Sequence, residues 1–464
     1  MKGMVAAGHP LTAEAGARVL REGGNAVDAA IAAMLTSWVA EPLLTGPGAG
    51  GYMMVAGAGE SETLLDFFVA APGEGAGDER GDLTAIEVSF GDATQFFHVG
   101  AASVGAYGNP AGIEEAARRW GTVPLPELAA PAAEHARAGI RTNEVQAYIG
   151  GILEGIVGER LLREGDVFQD DELAETIERL GAEGAAPFYT GDIAAAVVAE
   201  LEPRGGVLTA ADLAAYEPAA REPVPVSYRG RQILTNPPPN AGGTLLAMAM
   251  ALLEEATEGV PDAMALAYTM QVVQGQRTPD FVAKLGSTTH ISVVDGEGRA
   301  CSVTCTNGEG SGVWIPGTGI HVNNIMGEED LNPLGFHAFP PGRRMPSMMA
   351  PTVVMGDNGV ELVLGSAGSN RIRSAILQTI VGVIDRGLSV RDAVEAPRLH
   401  FEDGVVFTEP GVDVAALEPG EWLVNPFRSQ NVFFGGVQAV ERDVATGSLT
   451  GAGDPRRGGA VVAA

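Results

Sequence analysis

Lysine is almost missing from this chain of 464 residues. Only Lys2 and Lys284 occur, so 27 of its 29 basic side chains are arginine. No Gly-Lys-Ser/Thr can be found, which excludes a phosphate-binding P-loop, and only Lys284 lies far enough inside the chain to be a Schiff-base candidate. Basic charge is scarce altogether. Against 59 acidic residues it leaves a formal net charge of −30, which argues against nucleic acid and anionic membrane as partners and favours solubility. A GC-rich genome, which favours Ala, Gly and Arg, would leave the same shortage of lysine.

Cysteine is equally rare. Cys301 and Cys305 are the two, four apart on one strand pattern. Two such positions lie roughly 13 Å apart, too far for a disulfide. Both read as small buried apolar side chains, and a reducing compartment is allowed. There is no Cys-x-x-Cys and no His-Glu-x-x-His, and none of the seven histidines forms a close pair. The reading therefore includes no metal and no cofactor. Gly-x-Ser-x-Gly is missing too, which argues against an α/β-hydrolase elbow. The longest apolar runs, near 29–35 and 245–253, fall short of a membrane span, and residues 1–5 form no apolar signal core. The expectation is a cytoplasmic protein with no membrane segment.

What is present is apolar bulk: 45% of residues are hydrophobic, enough for a large core. The spacing predicts helices over 11–21 and 26–39, with Gly23-Gly24 ending the first, Asn25 capping the second and Glu41-Pro42 stopping it. Strands are predicted over 52–56 and 64–69, a mostly helical region from 113 to 201, a turn and short helix over 205–216, and a strand pair over 224–236. Pro237-Pro238-Pro239 leads through Gly242-Gly243 into a buried helix over 244–254. A polar, irregular stretch covers 276–286. Then 288–294 and 300–306 alternate around an Asp295-Gly296-Glu297-Gly298 turn, the pattern of a hairpin. Later strands are predicted over 352–355, 361–364, 405–407, 430–434 and 437–442, and a helix over 371–386. No fixed-period repeat or low-complexity linker appears. The pattern favours one interwoven domain of layered α+β class over a doubly wound parallel sheet.

Three segments carry candidate chemistry. Gly46-Pro47-Gly48-Ala49-Gly50-Gly51 matches G-x-G-x-x-G, but it follows a helix and leads into a strand, the reverse of a dinucleotide fingerprint. A tight backbone loop lining a pocket fits it better. Thr288-Thr289-His290 places two hydroxyls at the mouth of a buried-looking strand. A threonine hydroxyl becomes a good nucleophile when chain cleavage makes it N-terminal, because its own α-amine is then the base, with a reference pKa near 8. A Thr-rich strand start is the plainer alternative. Gly365-Ser366-Ala367-Gly368-Ser369-Asn370 joins an apolar strand to a helix. Backbone N–H groups at such a turn can hold an oxyanion, and an ordinary capped turn looks the same.

Together these pieces resemble the γ-glutamyltransferase (γ-glutamyltranspeptidase) family. The resemblance runs from Gly3 to about Gly458. It is carried by Gly8-His9-Pro10, Gly23-Gly24-Asn25-Ala26-Val27-Asp28-Ala29, 212–216, Tyr228-Arg229-Gly230, Pro237-Pro238-Pro239-Asn240-Ala241-Gly242-Gly243, 288–295, Asn323-Asn324, 346–352 and Gly453-Asp454-Pro455-Arg456. It implies an N-terminal nucleophile hydrolase with a four-layer αββα sandwich, two stacked antiparallel sheets between helical layers. The precursor would cut itself before Thr288 into 1–287 and 288–464, two subunits of one precursor that could pair further as a homodimer. Thr288 would be the nucleophile, Thr306 would orient it, and Gly368 and Ser369 would supply the oxyanion donors. Asn307, Asn324, Glu328 and Ser347 fall at substrate-binding positions.

One departure bears on substrate. The family's carboxylate-binding Arg aligns with Phe68 in the run Asp66-Phe67-Phe68, and its paired serines align with Ser347 and Met348. Loss of an Arg–carboxylate fork removes a strong polar interaction. The resemblance thus implies cleavage of γ-glutamyl or related amides through an acyl-enzyme, as in glutathione metabolism. Two rivals are an amidase of different acyl specificity, cephalosporin-acylase-like or oxamate-amidohydrolase-like, and an unprocessed binding protein using the same pocket.

Overall fold

The computed structural model describes residues 2–59, 61–75, 81, 83–89, 94–276, 288–329, 331–332, 334–418 and 420–464. Ser287, Lys284 and the irregular stretch from 277 onward lie outside the described residues.

Two antiparallel sheets organise the molecule. The first has seven strands in the order Ala460–Ala463, Gly3–Ala7, Thr289–Asp295, Ala300–Thr306, Gly50–Ala56, Thr63–Phe67, Ala219–Arg221. The second has six, in the order Leu449–Gly453, Gly436–Arg442, Gly359–Ala367, Thr352–Gly356, Arg231–Thr235, Val224–Tyr228. Strands far apart in sequence are neighbours, so the first and last strands of the chain pair and the chain is interwoven.

Alternation along each strand divides its side chains between two cores. Val5, Met53, Val55, Ile291, Val293, Cys301, Val303 and Cys305 join a cluster with helices Pro10–Glu22, Ala26–Ala40, Leu125–Ala138 and Asp171–Glu183. Met4, Ala6, Tyr52, Met54 and Leu64 join another with the second sheet and helices Ala241–Ala256, Ala263–Gly275 and Arg371–Ile384. Both faces of the first sheet are therefore buried. Polar groups facing the second sheet are bonded across: Ser292 Oγ donates to the Gln438 carbonyl at 3.0 Å and Ser302 Oγ to the Leu364 carbonyl at 3.1 Å. His290 lies there as well, bonded to Thr304 Oγ1 at 2.7 Å and Ser292 Oγ at 2.9 Å, and burial pushes its pKa down to about 3. A side chain at Gly365 would run into that ring.

The expected helix Ala26–Ala40 carries its capping box: Asn25 accepts from the Asp28 N–H and Asp28 accepts from the Asn25 N–H. The expected hairpin at the candidate nucleophile is present, with Thr289 opposite Cys305. Cys301 and Cys305 are free, buried thiols on the helix-facing side, and burial pushes both pKa values up.

Three readings need correction, and two elements were not foreseen. Residues 430–434 are not a strand. Asn431 caps a short 3-10 turn, Val432–Phe434, whose rings pack with Phe427 and Phe407, so aromatic clustering overrides β propensity. The strand placed at 361–364 runs over Gly359–Ala367, up to the candidate turn itself. The helix Ala263–Gly275, capped by Asp262, and the hairpin Thr84–Ser89 with Thr94–Val99 were not anticipated. Finally, glycines of 46–51 serve close backbone packing: a Cβ on Gly48 would lie 2.7 Å from the His321 carbonyl, and one on Gly50 2.8 Å from the Val69 N. None of 46–51 lines the cavity described below.

Candidate active site

Thr288 lies where the first two central strands of the hairpin end. Thr289 pairs with Cys305, so the next residues outward are Thr288 and Thr306, both almost fully buried. Thr306 Oγ1 accepts from the Gly308 N–H at 2.9 Å, which fixes the hydroxyl at the strand end.

These two threonines line a small cavity, about 20 Å³, with Phe68, Ile325, Glu328, Leu331, Ser347, Met348, Met349, Ser369 and Ile372. Separate stretches of chain thus converge on it, and each is held by a local device. The 347–349 wall hangs on the Pro-Pro-Pro-Asn-Ala-Gly-Gly segment. The N–H groups of Ala241 and Gly242 donate to the Ser347 carbonyl at 3.0 and 2.9 Å, and Asn240 Nδ2 donates to the Met349 carbonyl at 2.9 Å. Any side chain on Gly242 would strike the Met348 backbone. The Glu328 segment is bracketed by Asn323, whose amide donates to the carbonyls of Gly48 and Gly105, and by Asn332, whose amide donates to the Glu328 carbonyl.

Phe68 is fully buried and stacks on Tyr52 with ring centroids 5.5 Å apart. Its neighbour Asp66 is held by Arg221 at 2.8 Å and Arg344 at 3.3 Å. Arg344 also donates to the Phe68 carbonyl and lies over the Tyr216 ring. A guanidinium therefore does approach this segment, but it serves the backbone. Among the described residues no lysine or arginine lines the cavity.

The strand Gly359–Ala367 ends at the Gly368-Ser369 turn before helix Arg371–Ile384. Gly368 has φ +106 and its Cα region packs against Gly435, where a Cβ would come within 2.6 Å. Ser369 adopts φ +65, an uncommon conformation for a residue with a side chain. Neither N–H at this turn donates to a carbonyl of a described residue.

Behind the strand that begins at Thr289 is Glu41, which the sequence revealed only as a helix stop. Thr289 Oγ1 donates to its carboxylate at 2.6 Å and Thr12 Oγ1 at 3.0 Å. Burial pushes the Glu41 pKa up to about 7, against the opposing pull of both hydroxyls and of Arg457. An acidic side chain between a mostly apolar helix and a proline was the available signal.

Of the residues singled out from sequence, Thr288, Thr306, Phe68, Glu328, Ser347 and Ser369 meet at the cavity. Gly368 is adjacent to it in the chain. Asn307 and Asn324 are not among its lining. The Asn307 amide points to the His321 carbonyl at 3.4 Å, and Asn324 accepts from the N–H groups of Glu309 and Gly310, so both tie loops together. A larger cavity, about 200 Å³ and lined by Trp314, Arg160, Arg141 and Phe168 among others, contains none of the predicted residues.

Comparison with known proteins gives the family of the chain. The family model described as gamma-glutamyltranspeptidase matches residues 12–282 and 267–464. The glutathione hydrolase proenzyme of Bacillus subtilis (strain 168) is 29% identical, over 99% of this chain and 91% of that protein. The acylase ACY 1 proenzyme of Pseudomonas sp. (strain SE83) is 31% identical, over 100% of this chain and 93% of that protein. The crystal structure of cephalosporin acylase from Bacillus halodurans superposes with a TM-score of 0.83 at 25% identity, covering 100% of this chain and 96% of that one. On the family match and the full-length relatives, the chain belongs to the gamma-glutamyltranspeptidase family of enzymes.

Proposed function

We propose that this protein is a self-processing threonine amidohydrolase or acyltransferase that cleaves γ-glutamyl or related amides through an acyl-enzyme on Thr288. The observation that carries the reading is the convergence of Thr288, Thr306, Glu328, Ser347 and Ser369 on one buried cavity from distant parts of the chain. Cleavage between Ser287 and Thr288 would give subunits 1–287 and 288–464 and free the Thr288 α-amine. That amine takes the Oγ proton as Oγ attacks the amide carbonyl. The tetrahedral oxygen is held by the turn N–H groups of Gly368 and Ser369. The proton then passes to the departing amine, and water or an amino-acid acceptor, activated by the same amine, releases the acyl group. Thr306 orients the nucleophile. Relatives named as proenzymes support the processing step. The two sheets and the helices packed outside them support a four-layer αββα sandwich, cut at one covalent bond but still one domain. A cytoplasmic setting suits two buried thiols that need no oxidising compartment.

A second reading concerns the acyl group, and Phe68 favours it. A free α-carboxylate placed against Phe68, in a cavity lined by no described cation, would be poorly paired. The enzyme then prefers acyl groups without that carboxylate, and relatives named as acylases fit a departure from γ-glutamyl substrates.

The test of the main reading is direct. Edman sequencing of the small fragment should begin Thr-Thr-His-Ile, and Thr288→Ala should remain a single chain on a denaturing gel. A fragment that starts elsewhere would remove Thr288 from its role.

A further inference from the structure

The Ser369 side chain is an anomaly. It is 6% exposed, lines the cavity beside Thr288 and Thr306, and its hydroxyl makes no hydrogen bond to any described residue. A buried hydroxyl without a partner is destabilising, because its bonds to water are lost and not replaced. Its backbone adds a second cost, since φ +65 is a region where glycine would be unstrained. Two unfavourable features in one residue that lines the cavity point to a partner that arrives with the substrate.

We propose that Ser369 Oγ is a catalytic residue: it donates a third hydrogen bond to the acyl oxygen as that oxygen becomes negative, beside the two N–H groups of its own turn. This rests on the reading of Thr288 as the nucleophile. As the Thr288 Oγ–carbon bond forms, the carbonyl π pair moves onto oxygen and the Oγ proton moves to the α-amine. The Ser369 proton stays on Ser369 and is only shared with the oxyanion. On collapse the carbonyl reforms, the carbon–nitrogen bond breaks, and the α-amine returns its proton to the leaving nitrogen. The hydroxyl is a better donor to the charged oxygen than to a neutral carbonyl, so its contribution falls mainly on kcat.

The experiment uses the full-length precursor with Ser369→Ala and Ser369→Gly. N-terminal sequencing of the small fragment, turnover of γ-glutamyl and glutaryl anilides, and Tm are measured for each. Both variants should process to a Thr288 N-terminus and lose about ten- to a hundredfold in kcat, with KM within about twofold. Both should hold or raise Tm, because an unbonded buried hydroxyl has gone, and Ser369→Gly should be the more stable of the two. Loss of activity in Ser369→Ala that Ser369→Gly restores would mean that the turn conformation matters and the hydroxyl does not. Unchanged kcat in either variant overturns the proposal as well. A fragment lacking Thr288 at its N-terminus would instead overturn the nucleophile assignment, so the two failures are separable.

Discussion

The Gly368 turn separates two buried polar regions that solve opposite problems. On one side is the cavity, where hydroxyls and a single carboxylate sit among Phe68, Met348, Met349 and Ile372. On the other is a knot of charges. Asp454 accepts from Arg398 at 2.7 Å, from Arg456 at 3.2 Å and from the Val437 and Arg456 N–H groups. Arg456 continues to Glu409 at 2.5 Å. Arg457, against Gly368, is buried with them. Burial alone would raise the Asp454 pKa, but the two guanidinium groups and the two N–H donors overcome it and hold the carboxyl below its ordinary range. In the knot, the Asp454 and Glu409 carboxylates meet guanidinium groups fixed by the fold, although Arg398 Nε and Arg457 Nε make no hydrogen bond to a described residue. In the cavity, Ser369 Oγ meets no described partner. The knot thus fixes backbone position, and Ser369 Oγ on the cavity side does not serve that end.

The largest effect that could break this comparison is predicted in the knot. Asp454→Ala strands Arg398 and part of Arg456 in a region with almost no water. Removing one partner of such a buried network costs on the order of 3–5 kcal/mol, so the variant should show a much lower Tm and urea midpoint than the wild type. Asp454→Asn, which keeps the shape but not the charge, should recover only part. If Asp454→Ala unfolds like the wild type, the knot is not what holds the Gly436–Arg442 strand against the Gly368-Ser369 turn.

A smaller effect is predicted in the cavity, and it concerns the charge that is missing there. Phe68→Arg would add a cation where none of the described residues provides one. Turnover of a γ-glutamyl anilide should rise relative to its glutaryl counterpart by about ten- to a hundredfold in kcat/KM, the worth of a charge-assisted hydrogen bond of roughly 1.5–3 kcal/mol. Ser347 has the apolar Met348 beside it in the cavity wall, so the gain should lie at the lower end. Efficient wild-type turnover of the γ-glutamyl compound would show that another residue holds the carboxylate.

Much of this comparison was legible in the sequence, but unevenly. The hairpin at 288–306, the capped helix after Asn25 and the strand-to-helix turn at Gly368 follow from local signals: alternation, an Asn/Asp capping box, a glycine at the turn. The family resemblance supplied the pairing of Thr288 with Thr306 and the placement of Glu328 and Ser347. Asn307 and Asn324 tie loops and do not line the cavity, a use that looks the same in sequence as ligand binding. Glu41 and Arg344 were missed for a related reason. Each acts through a partner more than a hundred residues away, Thr289 for one and Asp66 for the other, and no local pattern reports such a pair. The aromatic turn at 432–434 was misread because Phe-rich segments fit a strand equally well until their neighbours are known.

The smallest predicted effect tests whether the cavity side needs fixed donors of its own. Thr306 Oγ1 holds the Gly308 N–H and stands beside Thr288 in the strand register. If it also orients the nucleophile, Thr306→Val, which keeps the shape and removes the hydroxyl, should slow both precursor cleavage and turnover. One neutral hydrogen bond is worth on the order of 1 kcal/mol, or about fivefold in rate. Thr306→Ser should restore most of the loss, since it keeps the oxygen and gives up only a methyl group. The comparison is the half-time of precursor disappearance and kcat for the three proteins at one pH. A Tm decrease with normal rates would confine Thr306 to the loop at Gly308. Slower rates at an unchanged Tm would place its hydroxyl in the reaction, on the same side of the turn as Ser369 and apart from the charged knot.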